Sequence, residues 1–291
     1  IAYLCASKRM DWEPVAWTEF DGKNIVFTDI QKGPVMRVAT YERGRLRFWT
    51  DPFEINVSNE FHFFTPSDSV QDVTLFAKYT LRADEMFLNR MIGGTFEGSN
   101  DPDFREKEVL YLINEKPKRL QTVVQSYSSK SYRYVRYIGP KDSHCNIAEA
   151  AFYTPNDTAS LKGKVIGTPG CFQKDGSHEY TNVFDGDVTT SFDYIEPSGG
   201  WSGLDLGTPK QIGRIVYTPR SYDNYIRSGD DYELFYCARR NNWKSLGDQR
   251  SKADSLIYIK IPVNALLLLC NNTRGIQERI FVYTAAEQIW K

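Results

Sequence analysis

The sequence has little of what most enzyme classes require. It contains three histidines, His62, His144 and His178, and none of the motifs GxSxG, HExxH, Walker A or GxGxxG occurs. His144 precedes Cys145, but neighbouring residues of a strand point to opposite faces, so the pair does not predict a Cys–His dyad. We therefore predict that the chain is not an enzyme.

The chain also lacks an excess of either charge and any long apolar segment. Its 36 basic and 37 acidic residues give a formal net charge of −1, which provides no broad basic field for nucleic acid. The longest apolar run, Ala265–Cys270, is far shorter than the roughly 20 residues that span a bilayer. We expect no nucleic-acid partner and no membrane span. The chain begins at Ile1 without a signal-peptide pattern, so we expect a mature or cut form.

Cysteine is sparse and unpatterned. The five cysteines are an odd number and include no CxxC pair, so neither a zinc site nor a dense disulfide framework is indicated. A single disulfide remains open, and the sequence does not decide whether Cys171 and Cys237 pair.

What the sequence does have is aromatic residues, 14% of the chain, in short alternating segments. Aromatic and β-branched residues favour strands, and turn residues separate the segments. Helical periodicity is scarce; its best candidate, residues 104–110, reads equally as a loop entering a strand at 109–113. The clearest predicted strands are Asn24–Thr28, Val35–Tyr41, Tyr132–Ile138, Ile212–Tyr217, Tyr232–Tyr236 and Leu256–Lys260. The pattern predicts an all-β fold.

An internal repeat predicts two modules. The segment Asn146–Tyr153 aligns with Gly275–Val282, which places Glu149 opposite Glu278. A turn-rich stretch near residue 155 would separate the copies. We therefore expect one module at 1–155, with an N-terminal β-hairpin element before about residue 60, and a second at 156–291.

Four ordered motifs carry a family resemblance. Asn182–Thr190 resembles a loop of the form N-x-F-D-G-D-x-x-T, and Gly200–Gly207 resembles a W-x-x-x-D-L-G strand. Tyr217–Arg220 is similar to Y-x-P-R, and a closing strand carries Glu278. The second module thus resembles the discoidin family, also called coagulation-factor type C or galactose-binding-like domains.

The resemblance also reaches the first module, more weakly. Phe96–Asp101 and Asn146–Glu149 are similar to discoidin segments, but this module has no D-G-D-x-x-T loop. The resemblance implies two jelly-roll β-sandwiches in tandem, the first of them degenerate.

The resemblance further implies a function and a location. Discoidin-like modules are generally non-catalytic, and most bind glycans. Similar tandem modules follow a transglutaminase-like domain in bacterial cell-envelope proteins. We expect carbohydrate binding at the cell surface, outside the cell or in the periplasm. The alternatives are a protein-interaction or spacer module accessory to an upstream catalytic domain, and a module that binds substrate for that domain.

A structural calcium is expected in the second module. Calcium prefers six to eight oxygen ligands, and Asp185, Asp187 and Thr190 in the loop, with Glu278, would supply them, as the family resemblance implies. The alternative is an Asx turn without metal. Glu149 has no such loop in its own module, so we expect it to form a hydrogen bond or a salt bridge.

The loop after residue 219 is the candidate ligand site. Sugars need aromatic platforms for their apolar face and planar donors for their hydroxyls. Arg220 and Asn224 would bind hydroxyls, and Tyr222 or Tyr225 would stack. The other candidates at this end of the sandwich are Tyr194 and Arg274.

A purely structural role for the same loop is the alternative. Arg220 would then form an internal ion pair with Asp223 or Asp230, and the tyrosines would cover the sheet. Trp201 and Trp243 are expected to pack inside the sandwich rather than to bind ligand. Exposure of Arg220 would favour glycan binding, whereas its burial in an ion pair would favour the spacer.

Overall fold

The protein is built almost entirely from antiparallel strands. The computed structural model describes residues 1–80, 82–239, 242–275 and 277–291. Strands take 47% of the chain and helices 5%, so the predicted all-β class is confirmed. The elements are β1 (Ala2–Lys8), β2 (Asp11–Thr18), β3 (Met36–Glu42), β4 (Arg45–Trp49), β5 (Phe53–Ile55), β6 (Phe61–Phe63), β7 (Val70–Leu75), α1 (Arg82–Asn89), β8 (Thr95–Ser99), β9 (Lys107–Leu112), β10 (Thr122–Gln125), β11 (Ser131–Ile138), β12 (Ile147–Tyr153), β13 (Lys164–Gly167), β14 (Trp201–Gln211), β15 (Arg214–Pro219), β16 (Asp231–Ala238), β17 (Asn242–Arg250), β18 (Leu256–Pro262), β19 (Leu267–Asn271), β20 (Ile280–Thr284) and β21 (Glu287–Trp290). Two short 3₁₀ turns, Phe172–Lys174 and Tyr180–Phe184, precede β14.

The chain divides into two compact units, and the division differs from the predicted modules 1–155 and 156–291. The first unit combines residues 1–80 with 225–291, and the second is residues 81–224. Residue 155 falls between β12 and β13, both in the second unit. β13 pairs with β14, and β14 pairs with β11. Strands from both sides of the expected boundary therefore share one sheet.

The second unit is a sandwich of two antiparallel sheets. One has the order β13-β14-β11-β8-β9 and the other β10-β15-β12. Phe96 of β8 lies between the sheets, with its ring centroid 6.0 Å from Phe152 of β12 and 5.3 Å from Tyr217 of β15. Burying rings of this size contributes roughly 1.5–3 kcal/mol each, so this aromatic layer holds the sheets together.

Close strand packing inside the second unit depends on glycine. Gly203 of β14 faces Val135 and Arg136 of β11, and a Cβ at this position would collide with the Val135 carbonyl oxygen. A side chain here would therefore force the two central strands apart.

The first unit contains three sheets. Their orders are β2-β1-β3-β5-β6 with β4 on β3, β17-β16-β19-β20-β21, and β18-β7. The apolar run noted in the sequence contributes β19, where Leu267, Leu268 and Leu269 are buried. The β3–β4 hairpin turns at Arg43 and Gly44, with φ of 49° and 74°. Two positive φ angles are typical of the turn whose twist matches a tight hairpin.

The two copies of the repeat have different sheet neighbours. The first copy forms β12, which pairs with β15. The second contributes to β20, which pairs with β19 and β21. Ile276, also part of the second copy, lies outside the described residues.

One local prediction was wrong, and one element was missed. The segment Asn24–Thr28 is irregular, although Ile25 and Phe27 are half-buried as its alternation predicts, because alternation sets burial without supplying a partner strand. Helix α1 was not predicted; within it Phe87 and Leu88 are buried while Met86 is exposed.

All five cysteines are free, so Cys171 and Cys237 are not paired.

Candidate functional site

Arg220 follows β15 directly and is held inside the second unit. Its guanidinium forms an ion pair with Asp193 and lies over the ring of Phe87, 4.5 Å from the centroid. Asp193 also accepts a hydrogen bond from Asn146 Nδ2 at 2.7 Å. The expected partners Asp223 and Asp230 were wrong, but the internal ion pair that the structural alternative described is present.

The other residues of this loop differ in exposure. Asn224 is 3% exposed, and its buried Oδ1 has no hydrogen-bond partner. Tyr222 is 45% exposed, with its ring centroid 5.7 Å from that of Phe87. Tyr225 is buried in the first unit, where its backbone bridges to Ala77.

Tyr194 and Arg274 were also expected at the ligand site. Tyr194 is half-buried in the second unit, and its ring centroid lies 5.9 Å from that of Phe192. Arg274 belongs to the first unit, where its Nε and Nη2 each donate to Asp230 at 2.8 Å. Burial alone would raise the pKa of Asp230, but Arg274 holds it below the usual value. The six expected residues are therefore divided between the two units.

The expected calcium loop is internally hydrogen-bonded. Asp185 accepts from the Asp187 amide at 2.7 Å and from the Thr190 hydroxyl at 2.8 Å. Asp187 in turn accepts from the Thr189 amide at 2.9 Å. These contacts are the Asx turn of the alternative interpretation. They also bring three of the four expected ligands together.

The third carboxylate at this loop is supplied by Glu149 and not by the expected Glu278. Glu149 Oε1 accepts from the Gly186 amide at 2.9 Å. Burial and the neighbouring Asp185 carboxylate raise the pKa of Glu149 to about 8. Glu278 lies in the first unit and forms an ion pair with Arg9 at 2.6 Å. The repeat aligned Glu149 with Glu278, and the predicted boundary at residue 155 grouped the loop with Glu278, whereas in the structure Glu149 contacts the loop.

The geometry of this loop suits a cation only in part. Within the described ranges, no group of three or more His, Cys, Asp or Glu side chains is arranged to hold a metal ion. Glu149 and Asp185 nevertheless form a close pair of carboxylates. A bound cation would neutralise them, since calcium takes carboxylate oxygens.

The residues considered for nucleophilic chemistry, His144 and Cys145, do not form a catalytic pair. His144 and Cys145 both have positive φ, 56° and 71°, and so lie in a loop rather than in the expected strand. Nδ1 of His144 is 2.9 Å from the Tyr194 carbonyl oxygen. Burial raises the pKa of the Cys145 thiol far above its usual range, which keeps it protonated and unreactive.

Comparison with known proteins found no match to this chain. No protein-family description, curated protein or solved structure matches it. In the part of the chain that the structure describes, no helix is both long and apolar enough to cross a membrane.

Proposed function

We propose that the chain is a non-catalytic protein of the cell envelope, in which the second unit is a discoidin-like sandwich that acts as a protein-interaction or spacer module. It would serve a catalytic domain elsewhere in a longer protein. The observation that carries this proposal is the Arg220–Asp193 ion pair. An arginine that is largely buried, paired with a carboxylate and stacked on Phe87 presents little of its guanidinium to a ligand.

Glycan binding at the same loop is the second candidate. One observation favours it: Tyr222 is an exposed ring that contacts Phe87, and an exposed ring is the platform that a sugar uses. However, the planar donors expected beside it are engaged or buried. The interaction role therefore accounts for more of the geometry.

A glycan-array screen of the whole chain separates the two candidates. The variants are Arg220→Ala and Tyr222→Ala, each with a thermal melt. On the interaction role, no glycan signal depends on either residue, and Arg220→Ala lowers the melting temperature because it leaves Asp193 buried and unpaired. Glycan binding that is lost in Tyr222→Ala, with an unchanged melting temperature, would overturn the proposal in favour of carbohydrate recognition.

We also propose that a calcium ion stabilises the second unit at the loop 185–190. Glu149 and Asp185 would hold it, and its charge would relieve the repulsion that raises the Glu149 pKa. A ligand that binds the folded chain stabilises it in proportion to RT ln(1 + [L]/Kd). Calcium added after EDTA treatment should therefore raise the melting temperature.

The matched variants for calcium are Glu149→Gln and Glu196→Gln. Glu196 is an exposed glutamate of the same unit. The calcium-dependent rise should disappear in Glu149→Gln and persist in Glu196→Gln. An equal melting temperature of the native chain with and without calcium would exclude the ion, while leaving the interaction role to be decided by the array.

A further inference from the structure

The first unit contains a cavity that the resemblance does not account for. Its volume is about 700 Å³, within the range of roughly 300–1,000 Å³ that is typical of small-molecule sites. It lies on the sheet formed by β2, β1 and β3, and the rings of Tyr3, Trp12 and Tyr41 line it. Aromatic rings therefore form part of its wall.

Strand alternation explains why these side chains share one face. Along β1, Cys5 is opposite Arg37 of β3 on one side and opposite Pro14 of β2 on the other. Residues two apart on a strand point the same way, so Tyr3 joins Cys5 on this face. Leu4, between them, points into an apolar cluster.

Arg37 is the unusual member of the cavity wall. Its guanidinium lies 4.7 Å from the ring centroid of Trp12 and 5.0 Å from that of Trp49. Its Nε and Nη1 are buried without a hydrogen-bond partner, as is Nε1 of Trp12. Among the described residues, no carboxylate pairs with Arg37. Burial without a counter-charge lowers its pKa.

The neighbouring groups do not neutralise this arginine. The Cys5 thiol is a hydrogen-bond partner of Arg37, but burial raises the pKa of Cys5 despite this contact, so the thiol stays uncharged at neutral pH. Glu42 lines the cavity, but its carboxylate is 2.6 Å from the guanidinium of Arg47. Arg37 is half-buried, and two of its nitrogens are buried without a partner, so an anion in the cavity that pairs with the guanidinium would offset part of the cost of burying this charge.

We propose that this cavity binds a carboxylate carried on a ring with an apolar face. The carboxylate pairs with Arg37, because guanidinium and carboxylate match in charge and in planar geometry. The ring packs against Tyr41 and Tyr3, whose centroids are 5.6 Å apart. A uronic acid and an aromatic acid share this chemistry. The site is independent of the interaction role proposed for the second unit.

Calorimetric titration of the whole chain tests the proposal. The ligands are D-glucuronate, benzoate and D-glucose, at concentrations up to roughly 10 mM, which detects a Kd in the millimolar range. We expect one or both acids to bind, and glucose to bind at least about tenfold more weakly than the better acid. Preference for glucuronate would identify a sugar acid, and preference for benzoate an aromatic acid.

Three variants locate the binding. Arg37→Met keeps much of the side-chain volume but removes the charge, and should weaken binding of the acid at least about tenfold. Tyr41→Leu removes an exposed ring and should weaken binding of the acid severalfold. This variant keeps the test decisive if Arg37→Met does not fold. Arg214→Met is the control, since Arg214 stacks on Tyr153 in the second unit, and should bind normally.

Three results would overturn the proposal. They are the absence of binding by both acids, equal binding of glucose, and unchanged acid affinity in a folded Arg37→Met variant. Unchanged affinity in Tyr41→Leu would likewise overturn it if Arg37→Met does not fold. None of them bears on the glycan array, because that screen follows Arg220 and Tyr222 in the other unit.

Discussion

Replacement of Asp193 by alanine is the most direct test of the network around Arg220. The change removes the carboxylate that pairs with Arg220 and that accepts from the Asn146 amide at 2.7 Å. The side chains of Arg220 and Asp193 are 16% and 10% exposed, so little water is available to replace the lost contacts. The variant therefore keeps a buried cation without its counter-charge.

The expected cost follows from this burial. Removing one partner of a buried ion pair costs about 3–5 kcal/mol. The side-chain pair is not fully buried, so we place the loss of Asp193 at about 3 kcal/mol, with about 1 kcal/mol more for the unsatisfied Asn146 amide. For a domain of this size, that corresponds to a fall in melting temperature of about 10 °C.

Urea denaturation of the whole chain, with calorimetric melts, measures the effect. The control is Asp103→Ala, which breaks the exposed pair with Arg105 and should cost less than about 1 kcal/mol. The double variant Asp193→Ala, Arg220→Met should be less destabilised than the sum of the single variants, because no unpaired charge remains. If Asp193→Ala costs no more than Asp103→Ala, or if the two changes add, the network does not hold the loop.

Three further predictions concern other parts of the chain. Because burial and Asp185 raise the folded-state pKa of Glu149 from 4.5 to about 8, its contribution to stability is fully present below about pH 4.5 and is lost as the pH rises to 8. In EDTA, the melting temperature of the unsubstituted chain should fall between pH 5 and pH 8.5 by more than that of Glu149→Gln. Because Glu149 is only half-buried, solvent screening reduces the expected difference in stability to about 1–2 kcal/mol. Parallel curves for the two proteins would refute this. Gly203→Ala should lose at least about 3 kcal/mol or fail to fold, since its Cβ meets a backbone oxygen of β11, and a native-like urea midpoint would contradict it. Cys270 is half-buried while the other cysteines are buried, so the reaction of the chain with a thiol reagent should have one fast phase. That phase should be absent from Cys270→Ser, and a fast phase that persists in this variant would contradict the prediction.

The strands were predictable wherever a single segment carried enough information. Residues 132–138 and 232–236 were expected as strands and correspond to β11 and β16, with shifts of a residue or two at their ends. In β16 the buried Tyr232 and Leu234 alternate with more exposed neighbours, because successive side chains point to opposite faces; in β11 residues 134–137 are all buried. Asn24–Thr28 has the same alternation but no partner strand, and a strand is stable only within a sheet.

The division into units could not be predicted from local motifs. β7, residues 70–75, pairs with β18, residues 256–262, so this sheet joins the two separate chain segments of the first unit. The repeat aligns similar segments that lie 129 residues apart, which is the separation of Glu149 and Glu278 in the sequence. Similarity of segments does not specify which strands pair, and pairing decides which residues share a core.

The same limit explains both the predicted site and the one that the sequence did not reveal. The type of contact made by Arg220 was foreseen, but its partner Asp193 lies on the N-terminal side of β14, where sequence distance gives no guide. The sequence did not indicate Arg37, because an arginine in a strand is ordinary until its neighbours are known. Its position depends on register: with Cys5 opposite Arg37, the residues next to them, Leu4 and Met36, point into the apolar cluster. A slip of one residue would exchange the two faces, burying the guanidinium among apolar side chains and exposing the core. The apolar cluster thus fixes the register that places Arg37 in the cavity, so one pairing of β1 with β3 stabilises the sheet and creates the proposed site.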